Sequence, residues 1–110
     1  MRNEDFKQGD IVFMDFNPTK GHEQSGNRPA VVVSNNDYHK IMGLNIVCPI
    51  TNNKKEFPSH VPLDSRTEVT GSVLCEHIRT VDLSQRNSMF KERLPDSILK
   101  EVLDIVQSCF

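Results

Sequence analysis

"GDIVFMDFNPTKGHEQSGNRPAVVVSN", residues 9–35, sets two apolar runs on either side of a polar connector. The first run follows a Gly-Asp turn signal and is rich in β-branched and aromatic residues, which predicts a strand over 9–17. "PAVVVSN" (29–35) is almost unbroken in its apolar character. A run of that length and kind predicts a strand buried on both faces. The connector is long for a strand pair, and Asn17-Pro18, Gly21 and Gly26 punctuate it. It packs His22, Glu23, Gln24, Asn27 and Arg28 into seven positions. Two adjacent buried strands joined by so polar a loop predict a β-rich core with its working surface at the loop.

The rest of the chain extends this pattern. "NNDYHKIMG" (35–43) opens on an N-cap candidate, Asn35 or Asn36, and closes on Gly43, which predicts a short helix. "LNIVCPIT" (44–51) predicts a third strand, in which Pro49 implies an edge or a bulge. "NNKKEFPS" (52–59) is a second polar loop, and "SHVPLD" (59–64) predicts a short strand. "SVLCEHIRTVDL" (72–83) predicts one long strand, and "MFKERLP" alternates like an exposed one. Pro95 then marks a helix start. Beyond it Ile98, Leu99, Val102, Leu103, Ile105 and Val106 recur at helical spacing, with Glu101 and Asp104 opposite. Five to seven short strands and two helices predict a mainly β, α+β domain spanning 1–110. Strands of this number and length commonly close into a small barrel, with the C-terminal helix covering an open face.

Composition narrows the function. Hydrophobic residues make up 36% and charged residues 25% of 110 residues, as in a folded globular domain. The apolar runs are far shorter than the roughly 20 residues of a membrane span, and residues 1–10 hold no apolar segment of signal-peptide type, so a cytoplasmic protein is expected. The net charge of −2 excludes a broad basic field for nucleic acid. Any such contact must be local. The absence of Trp and the single Tyr also argue against a base-stacking platform. Cys48, Cys75 and Cys109 form no C-x-x-C pair, and His22, His39, His60 and His77 show no H-x-x-x-H spacing. No metal site or cofactor is expected, and the thiols read as reduced, buried small hydrophobes.

Three places carry chemistry. Arg28 precedes Pro29, so its backbone is pushed toward extended geometry at the mouth of a strand. A guanidinium mounted there suits a phosphate, because it is planar, always charged and rich in donors. Glu23 either orients it or forms a plain loop ion pair with it. Thr51 ends the third strand, where its hydroxyl either donates to an oxyanion or merely serves as a β-branched strand residue. Glu76 shares a strand face with Leu74 and Ile78. A carboxylate among apolar neighbours is the kind whose pKa rises and which serves as a general base, unless an arginine pairs with it. By the same alternation His77 falls with Cys75 and Arg79, as a surface histidine rather than a catalytic one.

The run over 9–35 strongly resembles the opening of the MazF/PemK toxins of type II toxin–antitoxin systems. "NPTKGHEQSGNRP" follows that family's most diagnostic motif, "PIT" (49–51) matches its third-strand ending, and "IRTVDLSQRN" with "KERLPDSILKEVL" is similar to the PemK (Kid) branch. The resemblance covers roughly residues 8–107. It implies an SH3-like (CcdB/MazF-type) barrel, a homodimer, and a metal-independent endoribonuclease. Such an enzyme cuts single-stranded RNA at short sequences, leaving a 2′,3′-cyclic phosphate and a 5′-hydroxyl. It also implies a MazE/PemI-like antitoxin whose disordered acidic segment folds across the RNA groove.

Carried over by motif, Arg28 faces the phosphate and Thr51 donates to it. Glu23 and Gln24 orient Arg28 and the RNA, and His22 is a base, an acid or an RNA contact. Asn17, Lys20, Asn27, Lys54, Lys55 and His77 complete the expected RNA contacts. Leu74 and Glu76 depart from the PemK branch, which has Arg and Asp there. That shifts the weight toward Arg28 and Thr51 and leaves Glu76 as a candidate. The alternatives are a non-catalytic CcdB-like module that poisons a protein such as DNA gyrase, and a degenerate toxin that binds RNA without cutting it.

Overall fold

The computed structural model describes residues 6–16, 27–52 and 59–110. Seven short strands form one antiparallel system: β1 (Asp10–Asp15), β2 (Asn27–Val32), β3 (Asn45–Thr51), β4 (His60–Pro62), β5 (Ser72–Leu74), β6 (Arg79–Val81) and β7 (Met89–Arg93). Helix α1 (Asn36–Met42) links β2 to β3, and α2 (Asp96–Ser108) closes the chain. The strand order is β4-β5-β3-β2-β1-β7, with β6 also on β3. Among the described residues the terminal strands β4 and β7 of this path do not pair, so in place of the expected closed barrel there is an open, strongly wrapped sheet. Where a barrel would close by hydrogen bonds, α2 packs instead, against β4 and the turn after β5.

Apolar side chains on both sides of β1 and β2 explain their unbroken runs. Ile11 and Val31 join a core with Cys48, Ile50, Val73 and the α2 residues Ile98, Val102 and Val106. Val12, Met14, Ala30 and Val32 face the other way, into a second core with Val47, Val81 and Leu83. Burial on both faces removes the alternation that a half-exposed strand would show. The helical stripe reads correctly: Ile98, Val102 and Val106 are buried, Leu99, Leu103 and Ile105 are half-buried, and Glu101 and Asp104 are exposed. The short helix also forms as expected. Asn35 caps it by accepting from Tyr38 N at 2.8 Å, and Gly43 ends it in the left-handed region at φ 71°.

The run over 72–83 is not one strand. It lies antiparallel along β3, pairing Ser72 with Thr51 and Val73 with Ile50, then Arg79 with Val47 and Val81 with Asn45. Between these pairings a 3-10 turn, Cys75–His77, interrupts it. Five residues there (74–78) face two on β3 (48 and 49), so the register slips by three. Pro49, which has no N–H to give, sits at this gap. β3 is therefore no edge strand, and the bulge implied by the proline belongs to its neighbour.

Cys48 and Cys75 are buried as expected, whereas Cys109 is exposed. Among the described residues no helix is long and apolar enough to cross a membrane.

Candidate active site

A cleft of about 340 Å³ opens where β1, β2, β3, β5 and β6 converge. Phe16, Arg28, Pro49, Ile50, Thr51, Leu74, His77 and Arg79 line it. The ladder puts Arg28 and Thr51 on the same stretch of wall. β2 and β3 pair Ala30 with Pro49, and continuing that register by two residues sets Arg28 across from Thr51. The 3-10 turn brings in His77, and the slip of three residues that follows it sets Arg79 at the start of β6.

The guanidinium of Arg79 stands over the ring of Phe16, its carbon 5.3 Å from the ring centre. The attraction between cation and ring face is worth about 0.5–1 kcal/mol at an exposed site, and it holds the guanidinium over the ring. Phe16 is fixed in turn by Arg86, whose Nη1 donates to the carbonyls of Asp15 and Phe16 at 3.0 and 2.9 Å. The cleft thus gathers two guanidinium groups, an imidazole and a hydroxyl in a protein of net charge −2. Such a set can hold an anion and supply donors to charge that develops on its oxygens.

Glu76 stands beside the cleft rather than in its wall. Its Oε1 accepts from Ser59 Oγ at 2.7 Å, and its Oε2 lies 2.8 Å from His60 Nε2. His77 Nε2 is 3.6 Å from the same Oε2. The sequence expectation of a raised carboxyl is overturned here. Burial is the largest single influence and pushes Glu76 up, but the hydrogen bonds from Ser59, His60 and its own backbone, with the charge interaction with His60, together outweigh it and hold the group below its ordinary value. The error has a structural cause. The 3-10 turn breaks the alternation, so Glu76 does not share a strand face with Leu74 and Ile78.

Of the residues singled out in the sequence, Arg28, Thr51 and His77 come together in the cleft wall. Glu76 touches His77, and Asn27 is exposed at the mouth of β2. Asn17, Lys20, His22, Glu23, Gln24, Lys54 and Lys55 lie outside the described residues. Sequence reasoning missed Arg79 and Phe16. Arg79 shares the parity of His77, but only the register slip reveals which way the two point. Among the described residues no group of three or more His, Cys, Asp or Glu is placed to hold a metal ion.

Comparison with known proteins adds to this geometry. The family described as PemK-like, MazF-like toxin of type II toxin-antitoxin system matches residues 7–110. The chain is 35% identical over 106 residues to Endoribonuclease PemK of Escherichia coli, covering 93% of this chain and 80% of that protein. It is 36% identical over 97 residues to Endoribonuclease EndoA of Bacillus subtilis, covering 84% and 77%. Among solved structures it is similar to MazF from Deinococcus radiodurans, with a TM-score of 0.82 and 36% identity over 94% of each chain. The MazE–MazF complex from the same organism gives a TM-score of 0.80 at 31% identity, covering 94% of this chain and 93% of the matched one.

Proposed function

The chain belongs to the PemK-like, MazF-like toxin family of type II toxin–antitoxin systems, and from that premise we propose that it is a sequence-specific, metal-independent endoribonuclease. It cuts single-stranded mRNA in the cytoplasm, arrests translation and growth, and is held in check by a MazE/PemI-like antitoxin. The observation that carries this reading is the cleft itself, where Arg28, Thr51, His77 and Arg79 surround a hollow sized for a phosphodiester.

The reaction needs little beyond those groups. The 2′-hydroxyl attacks the adjacent phosphorus, the O2′–P bond forms, and the P–O5′ bond breaks. A base must take the 2′-proton, and an acid must return one to the 5′-oxygen. The products are a 2′,3′-cyclic phosphate and a 5′-hydroxyl. A guanidinium is a cationic donor with no acceptor site, so Arg28 stabilises the phosphorane rather than accepting a proton. Thr51 donates to a non-bridging oxygen. Arg79, held over Phe16, offers its N–H groups to a phosphate. Proton transfer falls to His77, with Glu76 beside its ring, and to His22 and Glu23, which precede Arg28 in the family motif. Reliance on the 2′-hydroxyl restricts the enzyme to RNA.

The active species is a homodimer. Met89 and Phe90 support this: they lie on strand β7, paired on one side by β1, and are 64% and 50% exposed. Sedimentation should return twice the 12.5 kDa of the chain.

The deciding experiment incubates the protein with a long unstructured RNA in EDTA, maps the new 5′ ends and assays for cyclic phosphate. We expect cuts at one recurring short sequence, abolished by Arg28→Ala and reduced by Thr51→Val. Intact RNA after exposure to the folded protein overturns the enzyme reading.

A further inference from the structure

A second hollow, of about 310 Å³, opens at the other end of β3, lined by His39, Gly43, Asn45, Asp82, Leu83 and Ser84. Asn45 and Thr51 are six residues apart on one strand, so their side chains leave the same face, about 20 Å from each other. The two hollows therefore sit at opposite ends of one face of β3.

The wall of this second hollow holds unsatisfied polar chemistry. Asn45 is 1% exposed, and among the described residues its side-chain Nδ2 has no hydrogen-bond partner. His39 Nδ1 is buried and likewise unpartnered. A buried polar atom left without a partner is destabilising, so a ligand atom that pairs with it is favoured. Asp82 adds an acceptor: its bonds from Ser84, backbone N–H at 3.0 Å and hydroxyl at 2.6 Å, both land on Oδ1. Leu83 supplies an apolar wall. Across His39 lies a further hollow lined by Lys7 and Lys40 as well as Phe6 and Asn36. An edge with a donor and an acceptor, an apolar face, and two ammonium groups beyond it are complementary to a nucleotide.

We propose that this hollow takes a base of the substrate RNA a few nucleotides from the cut, and selects one that shows a carbonyl beside an N–H, uracil or guanine. The amide of Asn45 donates to the carbonyl, and Asp82 Oδ2 accepts the N–H. His39 Nδ1 takes whichever role its tautomer sets. The inference rests on the ribonuclease reading and adds a site remote from the reacting phosphate, with β3 as the rigid link between them.

The test uses the full chain and oligonucleotides of U, A or C with methylated 2′-hydroxyls, long enough to span both hollows and unable to react. Nuclear magnetic resonance follows the amides of Thr51 and Arg79 for the cleft, and the side-chain NH2 of Asn45 for the second hollow. All three oligonucleotides should move the cleft signals, and oligo-U alone should move Asn45. Asn45→Leu and Asp82→Asn should weaken oligo-U roughly ten-fold, with cleft shifts and melting temperature retained. Asparagine still caps the turn that starts at Leu83, so the second variant guards against misfolding. Cleft signals that move while Asn45 stays still overturn this proposal alone. Equal shifts of Asn45 with all three bases overturn the base selection. If neither set moves, the RNA-binding reading fails along with it.

Discussion

At the scale of single residues, Glu76 shows how a shared proton landscape is set by neighbours rather than by residue type. Burial alone would favour its neutral form, yet Ser59, His60 and a backbone N–H together favour the carboxylate more. Its folded pKa therefore lies below its unfolded value, and the carboxylate stabilises the fold above that unfolded value. The stabilisation fades as pH falls through the lowered folded pKa. Glu76→Gln should lose at most about 1 kcal/mol at neutral pH, since the group is partly exposed. Urea melts should find the gap closing below pH about 4. The same variant should slow cleavage if Glu76 orients His77, and His77→Ala should slow it more, by about 10²-fold or greater.

The cysteines give a second check at this scale. Burial first, then the charges nearby, pushes Cys48 up to about 12 and Cys75 up to about 11. Thiolate is the reacting form, so a thiol reagent near pH 8 should modify Cys109 quickly and the other two only on unfolding. Mass spectrometry of the labelled chain reads this directly. Arg28 and Thr51 were legible in the sequence because each stands at a strand end beside a proline or a loop. Arg79 was not, because its direction depends on a register that no local pattern encodes.

At the scale of elements, the segment over 72–83 marks where sequence reading stops. Its strand character was legible, and it does run beside β3. The break at Cys75–His77 was not, because neither glycine nor proline announces it. The break is imposed from outside: Cys75 N–H donates to Ser59 O, and Glu76 is held by Ser59 and His60. The two helices were legible because their caps and apolar stripe are local signals. The open sheet was not, since closure depends on how terminal strands meet across the whole chain.

Gly71 lies just before β5 at φ 117°, and a Cβ there would come within 2.2 Å of the Thr51 carbonyl oxygen. Gly71→Ala should cost about 2 kcal/mol or more in chemical denaturation, from backbone strain and the displaced carbonyl. It should also slow cleavage about ten-fold by shifting the end of β3 that carries Thr51. In α2, Val102 is fully buried. Val102→Ala should cost about 2 kcal/mol and leave the rate per folded molecule unchanged.

At the scale of the whole molecule, charge is concentrated rather than abundant. A protein of net charge −2 binds a polyanion through its local cations. On single-stranded RNA each neutralised phosphate contributes a slope of about −0.7 in log affinity against log salt, so two to four contacts predict about −1.4 to −2.8. Anisotropy titrations at several salt concentrations measure it. A much steeper slope would require a basic surface beyond the cleft.

β3 also sets a clock for the molecule. It is flanked by β2 along one side and by β5 and β6 along the other, and it feeds both cores. In deuterated water the amides of Val31, Val32 and Val47 should trade their protons last, only when the whole sheet opens. Those of the short terminal strand β4 should trade among the first. The strand that carries Thr51 is then the slowest part of the protein to forget its native state, and a chain that has begun to come apart would lose its edge long before it loses its cleft.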